Sequence, residues 1–74
     1  MRYRGLVVKR RIGIGSKSEH DAVKLVTEKR EYVLRRRGGN PFSDPVLNTL
    51  VGKTIECDGI VHGRTLIMSD WRAT

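Results

Sequence analysis

Few residues of this chain combine the types and spacing that chemistry requires. Gly52-Lys53-Thr54 has the ending of a phosphate-binding loop, in which backbone amides and a lysine cradle phosphates. The full pattern needs a glycine five residues before Gly52, and Leu47 stands there. It also needs a helix after the loop, whereas the helical pattern here comes first. Gly13-Ile14-Gly15-Ser16-Lys17-Ser18 has no helical pattern after it either. Ser16, Ser18, Glu19, His20 and Asp21 crowd one polar stretch. Neighbours on a single loop rarely hold the geometry of nucleophile, base and acid, so a solvated loop is expected. Cys57 and His62 have opposite strand parity and are expected on opposite faces, which excludes a cysteine–histidine pair. Glu56 and Asp58 share a face and are expected to pair across the sheet with basic neighbours. One cysteine and two histidines cannot fill a structural zinc site within one chain. No catalytic residue, metal or cofactor is therefore assigned.

What remains is charge. The 74 residues carry a net charge of +7. Residues 1–37 hold 12 Lys/Arg against 4 Asp/Glu, and residues 38–74 hold 3 against 4. A basic half beside a neutral half makes a directed field that attracts polyanions. The basic set singled out is Lys9, Arg11, Lys17, Lys24, Arg35, Arg37 and Arg64. Three consecutive arginines, Arg35-Arg36-Arg37, repel one another unless something anionic lies nearby.

Five strands must position these residues. Strands are expected at 4–14, 22–28, 31–37, 53–61 and 65–70, because apolar residues recur there with period two. In the first, Leu6, Val8, Ile12 and Ile14 share one parity, with Arg10 as the exception. Gly13 and Gly15 suggest a bend in that strand. Tyr32 and Leu34 are expected inward, with Val33, Arg35 and Arg37 outward. Helix is the competing reading for 19–37, but no helical apolar stripe runs through that stretch. Gly38-Gly39-Asn40-Pro41 ends the third strand. Ser43 or Asp44 caps a short helix over 45–51, Pro45 occupies its first turn and Gly52 its C-terminal end. His62-Gly63-Arg64 is a tight turn between the last two strands. The expected core is Leu6, Val8, Val23, Leu25, Leu34, Leu47, Leu50, Ile55, Cys57, Leu66 and Met68. On these parities Lys9, Arg11, Lys24, Arg35 and Arg37 share one outer face, with Lys17 and Arg64 in flanking loops.

Three strands, a short helix and two strands form a single domain over 1–74 that resembles the OB-fold, a five-stranded Greek-key barrel with its helix between strands three and four. The resemblance is carried by the Gly13/Gly15 bend, the helix 45–51, and Gly52-Lys53-x-Ile55-x-Cys57-x-Gly59-x-Val61-x-Gly63 followed by Leu66 and Met68. It implies an all-β fold with one short helix. It also implies a ligand track across strands two and three and the loops 1–2 and 4–5, where related barrels take oligonucleotides or oligosaccharides.

These readings converge on a non-enzymatic nucleic-acid-binding module, weak and sequence-tolerant, with single-stranded DNA or RNA as partner. Four aromatic residues, Tyr3, Tyr32, Phe42 and Trp71, leave little for base stacking. The alternative is a protein-interaction or self-association module that uses Val7, Val26, Val33 and Ile60 as an outward apolar patch. Nineteen Val, Ile and Leu residues suffice for one small core. Such a core supplies only about 3–5 kcal/mol, which leaves reason for a homo-oligomer. No apolar run approaches the roughly 20 residues of a membrane span. Leu6-Val7-Val8 is too short for a signal peptide. The cytoplasm is the expected location.

Overall fold

The computed structural model describes residues 2–13, 15, 20–39 and 44–74, without the side chains of Ile12 and His20. The elements are β1 (Arg2–Ile12), β2 (His20–Val26), β3 (Glu31–Arg36), α1 (Pro45–Leu50), β4 (Thr54–His62) and β5 (Thr65–Ala73). The chain is thus mostly β with one short helix, and 20–36 holds strands rather than the competing helix. The strands lie in one sheet, in the order β1-β2-β3-β5-β4, and β4 pairs back onto β1 to close a ring of hydrogen bonds. All pairs are antiparallel except β3–β5, which is parallel because the helical connection and β4 intervene.

The core is Val7, Leu25, Leu34, Leu47, Leu50, Ile55, Cys57, Leu66 and Met68, each buried. The parity of β1 is the reverse of the expected one. Val7 is fully buried, whereas Leu6 is 42% exposed and Val8 only half-buried. Leu6-Val7-Val8 satisfies either parity, and a one-residue slip turns every side chain over. Register decides: Val7 lies opposite the buried Leu25, and its amide and carbonyl bond to the carbonyl of Lys53 and the amide of Gly52. Tyr3, on the same parity, packs against the core with Val23, Tyr32, Val51, Val61 and Trp71.

The pivot of β1 is Gly5, not the Gly13/Gly15 pair. β1 pairs with β4 over Arg2–Leu6 and with β2 over Leu6–Ile12, so it changes partners at this point. A Cβ on Gly5 would collide with the Val26 carbonyl and stand 3.3 Å from Leu25 Cγ. Gly13 and Gly15 follow the strand in the left-handed region, with φ of 67° and 82°. Gly59 marks a second close approach. The β4–β5 register shifts between Asp58 and Gly59, and a Cβ on Gly59 would run into the Ile67 carbonyl and lie 3.0 Å from Met68 Cα. Gly59→Val is therefore expected to cost about 2–3 kcal/mol or more by overpacking against backbone. That is most of what a core this small supplies. Thermal unfolding followed by circular dichroism checks this, and an unchanged melting temperature contradicts it.

Asp44 caps α1 from an extended conformation, its carboxylate accepting from the Val46 amide, and Pro45 fills the first turn. Six residues hold little helix stability of their own. Tertiary packing retains them, as Leu47 and Leu50 enter the core. Gly52 then takes a φ of 88° and turns the chain into β4.

Candidate functional site

The register lines up the outward side chains in rows. One row is Leu6, Val26 and Glu31. The next is Val8, Lys24, Val33, Thr65 and His62, and a third is Arg35, Ile67 and Ile60. Lys24 and Arg35 therefore share the outer face, as expected. Arg37 lies in the turn after β3, with its amide donating to the Met68 carbonyl. Arg64 lies in the β4–β5 turn, and its carbonyl accepts from the Val33 amide. Arg64, Arg35 and Arg37 thus follow one another along the β3–β5 seam.

The reversed parity of β1 removes two residues from this face. Lys9 stands opposite Val23 and Arg11 opposite Asp21, on the parity of Val7. Arg11 also pairs with Asp21 at 3.6 Å. Lys17 lies outside the described residues. Arg10, the exception in the sequence pattern, joins the outer face instead, where its Nε meets Glu31 at 2.7 Å. Glu31 also takes Lys24 at 3.6 Å.

Partners divide the cations. Arg2, Arg10, Arg11, Lys24, Arg36 and Arg72 have carboxylates. Arg4, Lys9, Lys29, Arg30, Arg35, Arg37, Lys53 and Arg64 form no ion pair among the described residues. Arg35 is also half-buried, and its Nε is shielded from solvent without a hydrogen-bond partner. A buried charged donor without a partner is costly and calls for a reason.

Arg36 was absent from the basic set, and the structure gives it a different task. It shares the inward side of β3 with Tyr32 and Leu34. Its Nε and Nη2 donate to the two carboxylate oxygens of Asp44 at 2.8 and 3.0 Å, and its guanidinium lies 5.7 Å from the centre of the Trp71 ring. Asp44 is buried, and the paired guanidinium holds its carboxyl below the usual range, helped by the Val46 amide. The parity of Tyr32 and Leu34 was the available signal, since it places Arg36 inward, where an arginine must find an acid. Strand β5 also runs past its expected end, because Cys57, Glu56 and Ile55 pair with Trp71, Arg72 and Ala73.

The remaining constellations are structural. Arg2 reaches Glu56 at 3.3 Å and Asp58 at 3.2 Å, and Arg72 reaches Glu56 at 3.1 Å. These two carboxylates pair across the sheet, and Arg72, with Arg2 and Arg4 nearby, holds the Glu56 carboxyl below its ordinary range. Cys57 points into the core and His62 is exposed. His20 and Asp21 begin β2, while Ser16, Ser18 and Glu19 lie outside the described residues. Gly52-Lys53 is spent on backbone bonds to Val7. Among the described residues no cluster of His, Cys, Asp and Glu is placed to hold a metal ion. Burial pushes the Cys57 thiol up to about 11, with the Asp58 charge adding to the shift and Arg2 opposing it. We expect a thiol reagent at mildly alkaline pH to leave the native protein unlabelled and to label it at once in denaturant. Rapid labelling of the folded protein would contradict this burial.

No helix among the described residues is long and apolar enough to cross a membrane. Comparison with family models, with curated proteins and with solved structures finds no match to this chain.

Proposed function

We propose that this chain is a cytoplasmic, non-enzymatic, OB-fold-like module that binds nucleic acid weakly and with little sequence preference. A helix between the third and fourth strands of a closed five-stranded ring supports the OB-like reading. The observation that carries the functional reading is the division of partners. Arg64, Arg35 and Arg37 follow one seam without carboxylates, while Arg10 and Lys24 on the same face, and Arg36 between the other two arginines of the run, are neutralised. Guanidinium groups suit phosphate oxygens, which they grip in pairs. The outer rows hold no aromatic residue among those described, so contacts run to phosphates rather than to bases, and sequence preference is low.

The test is fluorescence anisotropy with labelled single- and double-stranded DNA and RNA over a range of salt. Three phosphate contacts on a single strand correspond to a log–log salt slope of about −2. No measurable binding at low salt would remove the proposal.

A second reading, self-association, rests on the 66% exposure of Ile60 and the 42% exposure of Leu6. Val7 no longer contributes to that patch, being fully buried. Sedimentation separates the two readings. A dimer indifferent to salt favours the apolar patch, and a monomer with salt-sensitive nucleic-acid binding favours the arginine seam.

A further inference from the structure

A cleft of about 690 Å³ opens between the first residues of β1 and the β2–β3 turn. Its apolar wall is Leu6 and Val26, and two tyrosines stand beside them. The rings of Tyr3 and Tyr32 meet edge to face, with centres 5.6 Å apart and planes at 72°. Arg4 of β1 and Lys29 of the β2–β3 turn also line the cleft. Neither forms an ion pair among the described residues. Arg4 faces Glu56 in the ladder, but Glu56 is engaged by Arg2 and Arg72. Among the described residues, Glu28 is the one carboxylate lining the cleft.

The volume lies within the range of small-molecule sites, which are mostly apolar with a few placed polar groups. Phenol rings and aliphatic side chains suit a flat ring. Two cations without carboxylate partners suit a dianion better than a single carboxylate. We propose that this cleft binds one phosphorylated nucleoside, its base against Tyr3 and Tyr32 and its phosphate between Arg4 and Lys29. The nucleotide is either free or the 5′-phosphorylated end of a strand. The inference stands on the cleft alone and does not need the seam.

Adenosine 5′-monophosphate is the first probe, titrated into isotopically labelled protein. We expect the ring signals of Tyr3 and Tyr32 and the methyl signals of Leu6 and Val26 to shift together. Adenosine and ribose 5-phosphate, each lacking half of the ligand, should bind at least about tenfold more weakly, as should the monophosphate to R4E/K29E. Both substituted residues are exposed, so the variant should keep its fold, which its amide spectrum verifies. The source is settled by short oligonucleotides with and without a 5′-phosphate. If only the phosphorylated one moves the tyrosine signals, the cleft takes strand ends; if free monophosphate does so as well, it also takes the free nucleotide. Absence of shifts with both the monophosphate and the phosphorylated oligonucleotide overturns the proposal. Equal binding by adenosine, or by the folded R4E/K29E, overturns it too. Failure here is distinguishable from failure of the seam, because substitution of Arg35 and Arg37 should weaken strand binding and leave monophosphate binding in the cleft intact.

Discussion

Replacing both Arg35 and Arg37 with glutamate should abolish nucleic-acid binding at moderate salt and leave the melting temperature nearly unchanged. Each arginine lost removes a charge-assisted contact worth about 1.5–3 kcal/mol. Two together reduce affinity by about a hundredfold or more before repulsion from the new carboxylates is counted. Stability should hold, because neither arginine has an ion pair to lose among the described residues, the shielded Nε of Arg35 already lacks a hydrogen-bond partner, and the exposed charge of Arg37 contributes little to folding. Arg35 contributes some packing through its aliphatic stem, so a decrease of a few degrees is compatible with the argument. The control is Lys9→Glu with Arg11→Glu. It changes the net charge by the same amount on the opposite parity of β1, where Arg11 is already paired with Asp21. If that variant loses as much affinity as the first, binding follows net charge and not the seam. If the Arg35/Arg37 variant binds like the wild type, the functional proposal fails.

Asp44→Ala should destabilise the fold by about 2–4 kcal/mol, combining the loss of a helix cap with the breaking of a largely buried ion pair. Asp44 is the only buried charged residue among those described. Its carboxylate ties three parts of the chain together: β3 through Arg36, α1 through the Val46 amide, and β5 through the placing of Arg36 on Trp71. A core of this size has little more than that loss to spare, so much of the variant should be unfolded at room temperature. Urea denaturation provides the measurement, and a midpoint within error of the wild type would show that the pair is dispensable. The pH dependence follows from the direction of the shift. The folded-state value lies below the unfolded one, here 3.8. The stabilisation is therefore fully present well above 3.8. It falls away as pH drops below that value and is gone once pH passes the folded value. In Asp44→Ala this component of acid sensitivity should be missing.

Much of the architecture was legible in the sequence. Alternation located all five strands to within a few residues, since period two survives wherever one face of a strand is buried. Asp44, Pro45 and Gly52 bounded the helix because capping and left-handed backbone are local demands. The Gly63 turn was legible for the same kind of reason, with a φ of 60°. Tyr32 and Leu34 gave the correct orientation of β3, and with it the outward course of Arg35.

The orientation of β1 was decided by tertiary structure. Leu6-Val7-Val8 carries no parity of its own, and Ile12 and Ile14 favoured the wrong one. The choice belongs to the partners: Leu25 opposite Val7, and the 52–53 backbone that binds it. That single inversion moved Lys9 and Arg11 off the outer face, brought Arg10 onto it and buried Val7. The same limit explains Arg36. A run of three arginines reads as one block of charge, but the pleat sends alternate side chains to opposite sides. Whether the middle one meets an acid depends on a residue eight positions away, beyond the turn. The sequence by itself determined the elements and the lopsided charge, because those follow from backbone preferences and composition. Only the closed ring decided which charges are neutralised and which are left unpaired along the β3–β5 seam, because pairing is a property of distances between strands.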